Sequence, residues 1–181
     1  MSNLSGKYIL IIIPKSQFCE QELNGVRNIL QQNGANVVVL SKSGQEALGV
    51  NKERFQPDGM IVDWNKQIGI KKYHAVILVG GKGAKKSLWD DPIVPQILTD
   101  HYRFGSVIGA MGASIVVLVR ASLVAGEVPM PEDDVTYKEL ENLNAVCVDV
   151  PITRVENVVL GQGANSVHQF SQKIIDLIEM K

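Results

Sequence analysis

The sequence predicts an α/β fold in which a mostly parallel sheet is covered by helices on both faces. Short continuous aliphatic runs alternate along the chain with amphipathic stretches, a pattern typical of strands buried on both faces and of the helices between them. Apolar residues make up 45% of the 181 residues. This content is enough for one good core, and we expect a single domain over residues 1–181.

The strands are predicted from aliphatic runs that end at polar residues or glycine. Five such runs lie at residues 7–14, 35–41, 74–80, 106–110 and 157–161. The segment 44–64 is less regular, and we expect it to hold a small hairpin and a short strand near residues 60–62.

The helices are predicted from one-sided apolar spacing and from residues typical of helix ends. Residues 20–33 place Leu23, Val26 and Leu30 on one face and stop before Gly34, a common residue after a helix. Three further helices are expected: one from the cap and first-turn proline at Asp91-Pro92 to about residue 104, and the others at 114–121 and 164–180.

Charge and composition exclude several classes of protein. Eighteen basic and nineteen acidic side chains leave a net charge of -1, which argues against a nucleic-acid surface. The aliphatic runs reach only five residues, so no membrane span or export signal is expected. Only two cysteines occur, Cys19 and Cys147, and we expect a cytoplasmic protein without disulfides.

Two glycine-rich turns follow predicted strands, but neither fits a nucleotide site. The turns at 80–87 and 161–166 lack the glycine order of a phosphate loop or a dinucleotide fingerprint. The N–H groups of Gly80 and Gly81 are better suited to an oxyanion hole. The three histidines have no metal-ligand spacing, so we expect neither a cofactor nor a metal.

The segment around Met111 resembles a nucleophile elbow with the wrong residue at its apex. Its spacing, Gly109-x-Met111-x-Ala113, supplies the small neighbours that a strand-turn-helix elbow requires. A thioether at the apex has no proton to lose, so it cannot act as the nucleophile. Alternatively, a buried strand simply turns into a helix here through small residues.

Glu22 is the candidate acid of this site. It follows the first strand, and in a parallel sheet that turn opens at the same edge as the elbow, where Glu22 would point at position 111. Alternatively, Glu22 is an ordinary first-turn acid that the helix dipole stabilises.

Four ordered motifs resemble those of the ThiJ/PfpI superfamily. Residues 18–23 are similar to its F-E-D-x-E-L signature, and residues 79–84 with 88–91 are similar to G-G-x-G-A…L-W-D. Residues 108–118 resemble the A-I-C-x-x-P-x-x-L elbow, and residues 157–170 resemble the closing D-G-N-I-V-T…G-P…F pattern. The resemblance runs from about Lys7 to Ile178 and implies a flavodoxin-like three-layer sandwich.

The resemblance also implies a reactive cysteine at the elbow with a protonated glutamate beside it. Glu22 matches the glutamate, and the N–H groups of Gly81 and Gly112 match the oxyanion donors. The cysteine falls on Met111 and the histidine that PfpI-type members carry after it falls on Gly112, while a downstream histidine of another branch aligns with Pro131. Thiolate-dependent peptidase, glyoxalase, deglycase and redox-sensing roles are therefore all in doubt.

Two functions follow from this pattern. The first is a catalytically degenerate protein, connected with stress response, that binds a small carbonyl or anionic ligand through Glu22, Gly80, Gly81, Met111 and Gly112. The second is a glyoxalase-, deglycase- or amidase-like enzyme that uses Cys19 as a relocated nucleophile, although nearby carboxylates raise a thiol pKa. We also expect a homodimer, with Gly25 permitting close approach of the partner on the first helix.

Overall fold

The computed structural model describes residues 2–67, 69 and 72–181. Its strands are β1 (Tyr8–Ile12), β2 (Asn36–Ser41), β3 (Ala47–Leu48), β4 (Arg54–Phe55), β5 (Gly59–Met60), β6 (Ala75–Leu78), β7 (Val107–Met111), β8 (Glu127–Pro129), β9 (Val146–Val148), β10 (Ile152–Val155) and β11 (Val158–Gly161). Its α-helices are α1 (Glu20–Gln32), α2 (Ala84–Ser87), α3 (Val94–Phe104), α4 (Ile115–Arg120), α5 (Asp134–Asn142) and α6 (Val167–Glu179). Three 3-10 turns lie at Ile61–Lys66, Gly112–Ser114 and Ala164–Ser166.

The main sheet has seven strands in the order β10-β11-β7-β6-β1-β2-β5. All neighbours pair in parallel except the edge strand β10, which is antiparallel to β11. The five predicted strands correspond to β1, β2, β6, β7 and β11, and the predicted mostly parallel sheet is confirmed. Because parallel strands end at one edge, the turns after β1, β6, β7 and β11 lie close together.

The two faces of the sheet carry separate hydrophobic clusters. Ile9 and Ile11 of β1 pack in the cluster that contains the apolar residues of α1 and α6. Leu10 and Ile12 point the other way, into the cluster that contains those of α3, α4 and α5. This alternation is the period-two pattern of a strand buried on both sides, and it confirms the predicted three-layer α/β sandwich.

Several boundaries differ from the sequence prediction. The helix expected from Asp91 begins at Val94, although Asp91 Oδ1 still accepts from the N–H groups of Ile93 and Val94. Its first-turn proline is therefore Pro95 instead of Pro92. The predicted hairpin is the pair β3 and β4, and the predicted short strand is β5, followed by a 3-10 turn.

Beyond the five predicted strands, residues 127–155 hold four elements: β8, α5, β9 and β10. Each strand there has three or four residues and is partly exposed, so it offers no aliphatic run to recognise. The helix α5 begins at an Asp133 cap whose carboxylate accepts from Thr136 N at 2.9 Å. Among the described residues, none of the helices has the length and apolar character needed to cross a membrane.

Candidate functional site

A cavity of ≈ 570 Å³ opens where the turns after β1, β6, β7 and β11 meet. The start of α1, the hairpin, the turn after β6, the elbow after β7, the segment leading into α5 and the turn after β11 form its walls. Its polar and charged lining includes Cys19, Glu20, Glu22, Lys82, Lys85, Glu132, Asp133 and Gln162, and its glycines are Gly81, Gly112 and Gly163.

Glu22 is the buried acid of this cavity, with only 4% of its surface exposed. Its Oε1 accepts from Gly80 N at 2.8 Å, whereas its Oε2 faces the elbow. Burial raises the pKa of Glu22 to about 7, and the negative charge of Glu132 adds to the rise, against the lowering by hydrogen bonds from Gly80 and Cys19. With this raised pKa, both the protonated and the ionised form of Glu22 are accessible near neutral pH.

Gly112, and not Met111, occupies the apex of the elbow. Met111 has the extended backbone of a strand end (φ -128°, ψ 141°), and its fully buried side chain lies in the core cluster. Gly112 has a φ of +55°, and a Cβ at Gly112 would stand 3.5 Å from Glu22 Oε2. The sequence alignment expects Met111 in the place of the family cysteine, whereas the left-handed turn lies one residue later and places Gly112, not Met111, before Glu22.

The spacing of small residues was misleading because Gly109 has another reason to be small. A Cβ at Gly109 would lie 2.7 Å from Phe170 Cζ, so this glycine lets α6 pack on β7. The elbow instead brings Gly112 and Ala113 to the cavity. Ser114, the next residue, is buried and donates its hydroxyl to Val79 O at 2.7 Å.

The paired glycines after β6 have different roles. A Cβ at Gly80 would lie 2.6 Å from Met111 O, and the Gly80 N–H is already bound to Glu22. Gly81 has a φ of +117°, and its N–H finds no acceptor in the described part of the chain. Of the five residues expected to bind a ligand, Glu22, Gly81 and Gly112 line the cavity, and Gly80 and Met111 do not.

Cys19 lies in the cavity wall but is a poor nucleophile. It immediately precedes α1, where its thiol lies near the Glu22 carboxyl. Burial, followed by the charge of Glu22, raises the pKa of Cys19 to about 12. A thiol with this pKa is almost entirely protonated at neutral pH.

Glu20 and Glu132 are two further acids of the cavity lining. The Glu20 carboxylate accepts from the N–H groups of Asn51 and Glu53 and so fixes the hairpin loop that forms one wall. Glu132 also lines the cavity: its Oε1 lies 3.7 Å from the Cβ position of Gly163, and Glu22 Oε2 lies 4.0 Å from that same position. Glu132 was not predicted from the sequence. A signal was available, because Glu132 directly follows Pro131, which aligns with a histidine of one branch of the family.

Within residues 2–67, 69 and 72–181, no cluster of three or more histidine, cysteine, aspartate or glutamate residues is arranged to hold a metal ion. His101 is buried between Tyr73 N, which donates to its Nε2 at 3.1 Å, and Ile97 O, which lies 2.7 Å from its Nδ1. These contacts give His101 a structural role, away from the cavity.

This arrangement is typical of α/β proteins with a nucleophile-elbow site. It combines a parallel sheet, an elbow after β7 and a buried glutamate that faces the elbow. The chain matches the model of the DJ-1/PfpI family over residues 7–177 and belongs to that family. This result agrees with the resemblance to ThiJ/PfpI proteins that the motifs carry.

Two relatives show how far the sequence similarity extends. An uncharacterised protein of Methanocaldococcus jannaschii is 26% identical over 181 residues, which span 98% of this chain and 85% of the relative. A glutathione-independent glyoxalase of Caenorhabditis elegans is 26% identical over 179 residues, which span 96% of this chain and 89% of the relative.

Solved structures share the fold at low sequence identity. A ThiJ/PfpI domain protein from Brachyspira murdochii has a TM-score of 0.84 and 17% identity, and the match covers 100% of this chain and 99% of that one. Drosophila melanogaster DJ-1beta has a TM-score of 0.78 and 21% identity, with 99% and 95% covered.

Proposed function

We propose that this chain is a catalytically degenerate member of its family that binds a small carbonyl or anionic ligand. The observation that carries the proposal is the pair of Gly112 and Glu22: the residue at the elbow apex has no side chain, yet the acid that faces it is kept. Nucleophilic catalysis needs a side chain that can form a covalent intermediate, and Gly112 has none.

The remaining groups suit ligand binding. A protonated Glu22 presents an O–H donor from Oε2, because Oε1 already accepts from Gly80. The N–H of Gly81 lies in the same cavity, so an oxygen of the ligand can accept from both donors. Buried donors of this kind bind a carbonyl or carboxylate oxygen well because water does not compete with it.

Tryptophan fluorescence tests this proposal, because Trp89 lines the cavity. Titration with pyruvate should change the emission saturably, and Gly112→Leu, which fills the space before Glu22, should abolish the change. Trp89→Phe identifies the signal, since Trp64 is the second tryptophan. A titration that is identical in wild type and Gly112→Leu would exclude this site.

The alternative is an enzyme of glyoxalase, deglycase or amidase type that uses Cys19. The glyoxalase among the relatives and the place of Cys19 in the cavity wall favour it, whereas the raised pKa of Cys19 opposes it. Methylglyoxal turnover distinguishes the two functions. We expect none above background, and turnover that disappears in Cys19→Ser would establish the enzyme instead.

The proposal includes a homodimer, a cytoplasmic location and a part in stress response. For the dimer, the exposed apolar side chains of the hairpin region are the candidate contact surface. They are Leu48, Val50, Met60 and Val62. Gly25 is not available for this contact, because a Cβ there would lie 2.6 Å from Val167 Cγ1 of α6 in the same chain.

A further inference from the structure

A second cavity, of ≈ 620 Å³, adjoins the pocket on the side of α2, α4 and α5, and we call it the outer cavity. Lys85, Trp89 and Val135 line both cavities, so the two lie side by side. Trp89 stands at their junction, where its Nε1 donates to Ala113 O of the elbow at 2.7 Å. The residue that joins the cavities is thereby fixed to the turn that carries Gly112.

The outer cavity has an excess of positive charge. Its two acids, Asp90 and Glu139, both pair with Arg120, at 2.7 and 3.4 Å. Lys85, Lys86 and Lys138 have no acidic partner within 4 Å in the described part of the chain. Three ammonium groups are therefore free to meet an anion, and Lys85 also lies over the Trp89 ring at 6.0 Å.

The pocket itself has the opposite character. Four acids, Glu20, Glu22, Glu132 and Asp133, line it, together with Lys82 and Lys85. A strongly charged anion is therefore disfavoured beside Glu22 and favoured among the lysines. A ligand that satisfies both regions carries an uncharged oxygen acceptor at one end and a negative group at the other.

We propose that the outer cavity is an anion subsite, and that the ligand of this protein is an extended hydroxy-carbonyl compound ending in a phosphate monoester. The carbonyl oxygen lies at Glu22 and Gly81, the chain passes Trp89, and the phosphate binds Lys85, Lys86 and Lys138. A phosphate monoester suits this place because its double negative charge and several oxygens can engage three ammonium groups at once. This inference rests on the proposed function.

The test is calorimetric titration of the full chain with three probes: D-ribulose 5-phosphate, D-ribulose and inorganic phosphate. The phosphate ester should bind at least about tenfold more tightly than either of the others, because charge-assisted hydrogen bonds add to those of the carbonyl. Lys86→Gln with Lys138→Gln should remove that advantage. The matched control, Lys173→Gln with Lys181→Gln, removes the same charge elsewhere and should keep it.

The other outcomes separate this inference from the function on which it rests. Equal binding of ribulose and its phosphate would overturn the subsite and leave the pocket as a ligand site. Equal binding of inorganic phosphate and the ester would also overturn it, since the anion would then need no partner at Glu22. A ribulose affinity unchanged by Gly112→Leu would instead count against the proposed function.

Discussion

Glu22 Oε2 lies 3.5 Å from the position that a Cβ on Gly112 would occupy. This is ordinary van der Waals contact, so a small side chain fits at Gly112 and would meet the acid directly. The buried acid and the tight turn therefore face a position that has no side chain.

The first prediction is that Gly112→Cys creates a reactive thiol. The new sulfur would lie beside Glu22 and at the start of the 3-10 turn that leads into α4, where N–H groups favour the anion. We expect its pKa to fall below about 8.5 and its iodoacetamide rate at pH 7 to exceed that of Cys147 by about tenfold or more. The cost is a left-handed backbone at a residue other than glycine, about 1–2 kcal/mol of stability.

The matched control for this experiment is Met111→Cys. The Met111 side chain is fully buried in the core, so a thiol there should label no faster than Cys147. If Met111→Cys reacts fast and Gly112→Cys does not, the apex is Met111 after all. Both variants are best made with Cys19→Ser to simplify the labelling.

The second prediction concerns the pH dependence of stability. The pKa of Glu22 is raised in the folded state from 4.5 to about 7, so the folded protein holds this proton more tightly than the unfolded chain. The resulting stability is complete below about pH 4.5 and is lost as the pH rises through 7, by roughly 3 kcal/mol in total.

Glu22→Gln checks this prediction because glutamine does not titrate. Urea unfolding at pH 4, 6 and 8 should show that the difference in free energy of unfolding between variant and wild type moves in favour of the variant as the pH rises. The exposed Glu179→Gln serves as the control and should keep a constant difference. A difference for Glu22→Gln that does not change with pH would contradict the raised pKa.

The third prediction is that Cys19 reacts slowly. With its pKa near 12, iodoacetamide labelling of Cys19 at pH 7 should be slower than in the urea-unfolded protein, where an ordinary thiol pKa returns. Glu22→Gln should speed the reaction, because it removes the nearby negative charge, while burial still slows it. Mass spectrometry separates Cys19 from Cys147, and fast labelling in the native wild type would refute the prediction.

The fourth prediction tests the packing of α1 on α6. Gly25→Ala would place a Cβ 2.6 Å from Val167 Cγ1, so we expect a loss of about 1–3 kcal/mol. The double variant with Val167→Ala should recover part of this loss, which a double-mutant cycle measures. Asn28→Ala, at an exposed position of the same helix, is the control and should have little effect.

The fifth prediction is that the chain is a homodimer. Sedimentation at micromolar concentration should give twice the chain mass of 19.8 kDa. Leu48→Glu with Val62→Glu would bury charge in the proposed contact and should shift the equilibrium to monomer. A single 19.8 kDa species for wild type would show that the dimer is absent.

The central strands of the sheet could be predicted from the sequence, because short continuous aliphatic runs indicate buried strands. β1, with five consecutive isoleucine and leucine residues around it, is the clearest case. The strands from β8 to β10 are harder to predict because they are short and partly exposed. β8 and β9 pair with each other, and β10 pairs with β11 at the edge of the main sheet.

The site is harder to predict from the sequence, because one backbone angle decides which residue of the elbow faces Glu22. Glu22 could be placed from its position after β1, and Gly81 from the glycine pair after β6. The choice between Met111 and Gly112 could not be made from spacing, since both fit a run of small residues and only the φ of +55° separates them. Glu132 is brought to the cavity by tertiary packing, and the sequence around it does not indicate that position.

Because Gly112 has no side chain, a single substitution at this position would introduce a reactive group into the cavity. The acid and the tight turn already surround that position, and a Cβ there would meet Glu22 Oε2 only at ordinary van der Waals distance. A reactive side chain at Gly112 thus costs about 1–2 kcal/mol for its left-handed backbone and leaves the packing of the core unchanged. A lineage can cross between holding a small molecule and transforming it without rebuilding the core.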